Sequence, residues 1–205
     1  MLIVVTPAAS RLLSTVERLQ VELGATSEPQ ASQVAGVLAE ASAAVETHCS
    51  RTFARETVRE TLRLRSAHGG AIRLQRSPIA SIASITEDGA AVTADDYEYE
   101  ADTGQVYRLR EDRRVGWPAS KIVITYEAGY ILPGADGADL PADVERQCLR
   151  VAVAIWHSRN RDPLLRSEAA EGVGSASYVD PSDASGGLPQ QVADALWPHV
   201  SWWAK

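Results

Sequence analysis

The sequence predicts an α+β protein: an antiparallel helix bundle with an inserted antiparallel β region and an extended C-terminal arm. Three observations carry this expectation. Apolar residues recur every three or four positions up to Arg51 and then at every second position between Thr52 and Tyr130. Helical spacing returns from Pro141.

The first helix is expected over 7–24. The Thr6 hydroxyl is a cap, and Pro7 at the first helical position loses an N–H that has no partner there. Leu12, Val16, Leu19 and Leu23 follow at spacings of four, three and four, and Gly24 supplies a stop. A second helix is expected over 28–51, opened by the capping box Ser27-Glu28-Pro29-Gln30. Its stripe is Val34, Val37, Leu38, Ala41, Ala44, Val45 and His48, with small residues (Ala41, Ala43, Ala44) that let a neighbouring helix approach. Together these read as an antiparallel helix pair.

The β insertion spans 52–130. Val58, Glu60, Leu62 and Leu64 alternate with Arg59, Thr61, Arg63 and Arg65, as on a half-exposed strand. Gly69-Gly70 turns the chain into Ile72–Gln75, Ser77-Pro78 interrupts it, and Ile79–Thr86 runs to a turn at Asp88-Gly89. Tyr97 and Tyr99 precede a turn at Asp102-Thr103-Gly104; Val106–Leu109 returns, and Ile122, Ile124 and Tyr126 alternate again. About six short strands with turns between them predict an antiparallel sheet or small barrel.

The third helix is expected over 141–161, with Val144, Cys148, Val151, Ala152 and Ile155 on one stripe and a stop at Asp162-Pro163. Ser167–Gly187 is poor in large apolar residues and reads as an extended arm or mobile loop. A short last helix is expected from Pro189 to Trp197, before a tail that carries Trp202-Trp203. Residues 1–180 then form the main domain, and 181–205 an arm with a short helix that docks on a partner.

Composition narrows the function. The 205 residues are 45% hydrophobic and 23% charged, ordinary for a globular chain. Twenty basic against twenty-seven acidic side chains give a net charge of -7, which argues against a general nucleic-acid binder. Cys49 and Cys148 are too few for a disulfide framework, and the opening apolar run Leu2–Val5 is too short for a signal sequence or membrane span. A soluble protein made in the cytosol is expected. Charge is uneven: 51–76 holds seven arginines and two acids, whereas 87–112 holds nine acids and two arginines. Two readings stay open. These are solvated strand faces, or they are complementary patches between copies of the chain, with Arg59, Arg63 and Arg65 meeting Asp95, Asp96 and Glu98 of a neighbour.

Catalysis finds no assembled candidate. His48 and Cys49 diverge on a helix, and Cys148 and His157 lie on opposite helix faces; neither pair shares a metal without ligands from elsewhere, and His68 and His199 add none. Gly172-Val173-Gly174-Ser175-Ala176 only approaches a nucleophile elbow, and neither lysine, Lys121 or Lys205, follows a phosphate-binding loop. Asp95-Asp96 and Asp180…Asp183 suit turns better than cation sites. No catalytic residue, cofactor or metal is predicted. The tryptophans say more. Trp156 reads as core or core edge and Trp117-Pro118 as a strand-entry bend, while Trp197, Trp202 and Trp203 crowd the last nine residues. Large aromatics with a polar handle anchor interfaces, so two readings stay open for these three: docking on a partner, which is slightly favoured and would make 181–205 a docking arm, or folding back onto the chain's own core.

The order of elements resembles a known family. It runs from Ala44-Val45-Glu46-Thr47-His48-Cys49-Ser50-Arg51 through Leu74-Gln75-Arg76-Ser77-Pro78-Ile79-Ala80-Ser81-Ile82, Asp88-Gly89 and Asp96-Tyr97. It continues with Trp117-Pro118, Ile122–Tyr130, Leu140-Pro141-Ala142-Asp143-Val144 and Ala154-Ile155-Trp156-His157-Ser158-Arg159. Over roughly residues 6–180 this order resembles the head–tail connector proteins, also called adaptor or head-completion proteins, of tailed double-stranded DNA bacteriophages. The resemblance implies a structural virion protein in the neck, made in the host cytoplasm. Such proteins form a ring, commonly of twelve copies, beneath the portal, extend the DNA channel and present a platform for the stopper or tail-completion protein. It makes the portal the partner of Leu188, Trp197, Trp202 and Trp203, and lets DNA pass an acidic wall without specific binding. Two other classes remain open: a small DNA-binding module using the Arg51–Arg76 face, and a small hydrolase.

Overall fold

The computed structural model describes residues 1–24, 28–65, 69–118, 120–159, 167–170, 174–177 and 188–201. The chain divides into two compact units. One comprises Met1–Ser10 and Thr52–Ile131; the other comprises Arg11–Arg51 and the chain from Leu132 to Trp203.

The first unit is built on two antiparallel sheets. Its larger sheet has five strands: β1 (Leu2–Thr6), β2 (Glu56–Arg63), β4 (Ile79–Glu87), β5 (Ala90–Val92) and β9 (Lys121–Ala128), in the order β1-β2-β9-β4-β5. The smaller sheet orders β3 (Ile72–Arg73), β7 (Gln105–Arg110) and β6 (Tyr97–Glu100), with β8 (Arg113–Val115) also paired to β7. The predicted two-residue alternation places the core. On β9, Ile122, Ile124, Tyr126 and Ala128 are buried while Lys121 and Glu127 face out; on β2, Glu56, Val58 and Glu60 are buried and Arg59 and Arg63 are exposed. One apolar cluster receives side chains from both sheets, with Val58, Ile79, Ile85, Ile122 and Ile124 meeting Ile72, Val106 and Trp117. Each such side chain removed from water contributes about 1.5–3 kcal/mol.

Gly129 closes this unit. Its φ of +103° lies in the region glycine favours, and a Cβ there would sit 2.5 Å from the Ala54 carbonyl oxygen. That close approach lets Tyr130 N–H donate to the Phe53 carbonyl at 2.7 Å and Arg55 N–H to the Tyr130 carbonyl at 2.8 Å.

The second unit holds α1 (Val16–Leu23), α2 (Glu28–Cys49), α3 (Ala142–Ser158) and α4 (Gln190–Leu196). Helices α1, α2 and α3 contact one another, and α4 contacts α3. Their interior gathers Leu13, Leu19, Val34, Leu38, Ala41, Val45, Val144, Cys148 and Ala152. The small-residue surface of α2 does receive a helix: Ser42 Oγ lies 3.5 Å from Cys148 Sγ on α3 and donates to the Leu38 carbonyl at 2.8 Å. A two-stranded sheet, β10 (Ser167–Ala170) and β11 (Gly174–Ser177), completes the elements.

Several boundaries correct the sequence reading. No helix starts at Thr6-Pro7: Leu2–Thr6 is a strand, and α1 begins at Val16 with Thr15 as its cap, whose hydroxyl accepts from Arg18 N–H at 3.2 Å. The β-branched run Ile3-Val4-Val5 finds a partner in β2 and overrides the capping signal. Helix α2 ends at Cys49 rather than Arg51, because Ser50 turns left-handed with φ +50°. Helix α3 covers Ala142–Ser158 within the expected 141–161. The stretch expected to be an arm from Ser167 contains the β10–β11 pairing. The sequence reading also passed over β5 and β8, each only three residues long. Among the described residues, no helix is long and apolar enough to cross a membrane.

Candidate interaction surfaces

In the sheet unit, β2 presents Arg59 and Arg63 outwards, and Arg65 beyond the strand end is also exposed. The opposite charge is partly committed within the chain. Asp96 accepts from the Thr93 hydroxyl at 2.8 Å and faces Arg108 at 3.4 Å. The Thr93 hydrogen bond, with the Arg108 charge behind it, holds the Asp96 carboxyl below the usual range. Glu98 pairs with Arg114, whose guanidinium also lies 3.6 Å from the Tyr107 ring centre. The Glu98 hydrogen bond holds Arg114 still more firmly protonated. Asp95 is exposed. Of the three predicted acidic contact residues, Asp96 and Glu98 therefore already have arginine partners on β7 and β8 while their side chains remain part-exposed, and Asp95 is exposed.

Beneath the arginine face lies a buried polar cluster that the alternation pattern did not announce. The Glu60 side chain is fully buried, and its Oε2 accepts from the Tyr126 hydroxyl at 2.9 Å and from Gln75 N–H at 3.0 Å. The Tyr126 hydroxyl in turn accepts from Arg76 N–H at 3.2 Å. Burial first, then the nearby Glu60 carboxylate, push the Tyr126 phenol far above its ordinary range, so it remains a neutral donor. The cluster ties β2, β9 and the chain between β3 and β4 together. A glutamate inside an otherwise alternating strand was the available signal.

In the helical unit, the C-terminal segment is docked rather than loose. Leu188 is 1% exposed, and Val192, Ala193, Leu196 and Val200 are buried with it. Ser201 N–H donates to the Cys49 carbonyl at 2.8 Å, and His199 Nε2 lies 2.7 Å from Asp143 Oδ2 on the first turn of α3. Leu188, expected as a partner contact, is thus packed inside its own chain instead. The spacing 188, 192, 196, 200 is an apolar helical stripe, and burying it against α3 outweighs leaving it in water. Trp197 points the other way and is 61% exposed. Trp202 and Trp203 lie outside the described residues.

The remaining chemistry-bearing residues are dispersed. Cys49 and Cys148 are both fully buried, and burial pushes each thiol up to about 11, which makes them poor nucleophiles and poor metal ligands. His157 is exposed on α3, whereas His68, Gly172, Asp180 and Asp183 lie outside the described residues. Among the described residues, no three His, Cys, Asp or Glu side chains come together as a metal site. Trp117 is core, its Nε1 donating to the Val106 carbonyl at 3.2 Å, and Trp156 is half-buried beneath Arg159.

No protein-family model matches the chain, and no curated protein matches it. Solved structures do. A chain in the neck of an empty gene transfer agent particle, computed with C6 symmetry, has a TM-score of 0.60 at 18% identity, over 98% of this chain and 95% of that one. Chains in the virion of a native gene transfer agent particle and in its neck computed with C12 symmetry have TM-scores of 0.56 and 0.55. Both are 20% identical and cover 85% of this chain and 90% of theirs. The likeness is one of fold, and in the first case it runs along nearly the whole of both chains.

Proposed function

We propose that this chain is a structural virion protein of the particle neck, a head–tail connector. Its copies form a ring, of about twelve, between the portal and the tail or stopper, and the ring extends the DNA channel. The observation that carries this reading is the likeness of fold along nearly the whole of both chains to a chain in a particle neck. The reading needs no catalytic step, no cofactor and no metal; the work is done by surfaces. Trp197, with Trp202 and Trp203 beyond it, anchors on the portal, and Leu188 acts from inside by holding α4 in place. Between copies, Arg59, Arg63 and Arg65 meet the acidic hairpin of Asp95, Asp96 and Glu98. Because Asp96 and Glu98 already have partners, Asp95 sets the register there. Exposed ion pairs contribute only about 0–1 kcal/mol each, so they orient the contact more than they hold it. The net charge of -7 keeps the channel wall from binding DNA tightly.

Cryo-electron microscopy of particles that carry the chain tests the reading. Density for this fold, repeated around the axis between portal and tail, is the expected result. Its absence from the neck overturns the proposal.

A further inference from the structure

We propose that the five-stranded sheet continues from copy to copy, with β1 of one protomer taking the β5 edge of the next as its missing neighbour. This rests on the ring reading and adds the contact that closes the ring.

Strand β1 is an edge with an unusual make-up. Met1, Ile3, Val4 and Val5 are all exposed, at 76%, 44%, 37% and 44%. An exposed apolar edge is a template for another strand. Its outer hydrogen-bonding groups follow from its register. Met1 and Thr61 exchange two hydrogen bonds, at 2.9 and 2.8 Å, and Ile3 pairs with Arg59 two residues on. Antiparallel pairs alternate, so Leu2 and Val4 aim their N–H and C=O groups away from β2. At the far edge, Glu87 and Ala90 flank the two-residue turn Asp88-Gly89, so Ala91 is the residue of β5 whose backbone faces outwards.

Direction and charge select the partner. Every neighbour in the sheet is antiparallel, so β1, β9 and β5 run the same way. A rotation about an axis along the strands preserves that direction and sets β5 of one copy parallel to β1 of the next. Such a heterologous contact repeats and closes. The β1 side of the sheet is basic, because β2 next to it carries Arg59 opposite Ile3 and Arg63 beyond Met1. The β5 edge is acidic, with Asp88 before it and Asp95 after it. In the parallel arrangement Asp88 comes to the Arg63 end and Asp95 to the Arg59 end. Pairing two β1 edges with each other opposes arginine to arginine, and pairing two β5 edges opposes aspartate to aspartate, so self-pairing of either edge is disfavoured.

The test uses full-length chain carrying Ile3→Cys and Ala91→Cys, built into particles and oxidised. In a parallel pair Ala91 bonds Leu2 and Val4 and so stands opposite Ile3 on the same face. Both native cysteines are buried and give little background. A ladder of disulfide-linked multimers on non-reducing electrophoresis is expected. Dimers alone overturn the proposal in favour of self-pairing, and no linkage in particles whose neck ring is imaged overturns it while the ring reading survives. Absence of a neck ring from unmodified particles overturns both. Two further variants guard against local distortion. Val4→Pro removes an outward N–H that β2 does not use, so the chain should keep its circular dichroism and lose the ring. Arg59→Asp should lower the ladder yield several-fold, and adding Asp95→Arg should restore it; unchanged yield in either variant overturns the contact.

Discussion

At Gly129 a single missing atom decides whether the sheet unit closes. The position combines φ +103° with a backbone oxygen 2.5 Å from where a Cβ would stand. Gly129→Ala should therefore cost more than about 2 kcal/mol in urea unfolding, against a few tenths for an ordinary surface change. Tyr126 is a second such residue. Replacing it with Phe keeps the ring and removes the hydroxyl that serves both Glu60 and Arg76. The loss should be about 1–3 kcal/mol, because a buried carboxylate oxygen loses a donor. A loss below about 0.5 kcal/mol would show that water replaces the hydroxyl. Neither role was legible beforehand. Gly129-Tyr130 read as a strand ending and Tyr126 as one more apolar alternation, since sequence spacing does not reveal which backbone lies across the way.

Helix α4 is the element whose placement most changes the picture. Its buried residues recur at 188, 192, 196 and 200, while Trp197 stands exposed on another face. Leu196→Ala, at a fully buried site, should cost about 2–5 kcal/mol. The His199–Asp143 contact gives the docking a pH dependence. Burial raises the Asp143 carboxyl, but the His199 hydrogen bond and charge outweigh it, and the net shift is downward. A carboxyl held lower in the folded state than its unfolded value of about 3.9 stabilises above that value and loses this contribution as pH falls through the folded value. The wild type should therefore melt higher than Asp143→Asn at pH 6, and the gap should shrink below about pH 4. A gap that stays constant across this range would refute the assignment.

For the whole molecule, the two faces of the C-terminal segment can be separated by substitution, since Leu188, Val192 and Leu196 are buried and Trp197 is exposed. Trp197→Ala removes an exposed side chain and should leave stability within about 0.5 kcal/mol while abolishing co-sedimentation with portal rings. Retained co-sedimentation would take the anchor away from Trp197. Truncation after Gly187 is a poorer probe, because it also strips Leu188, Val192 and Leu196 from the helical interior.

Local periodicity alone determined much here: the alternation of β2 and β9 and the apolar stripes of α2 and α3, with turn chemistry adding the bend at Asp88-Gly89. Periodicity reads what one segment does to itself, which is why these survived. Tertiary structure decided the rest. It turned Leu2–Thr6 into a strand by offering it β2, folded the segment from Leu188 back onto α3, and gave Asp96 and Glu98 arginine partners from the next strands. Those outcomes depend on which distant surface is available to bury an apolar face or neutralise a charge, and no window of sequence contains that surface.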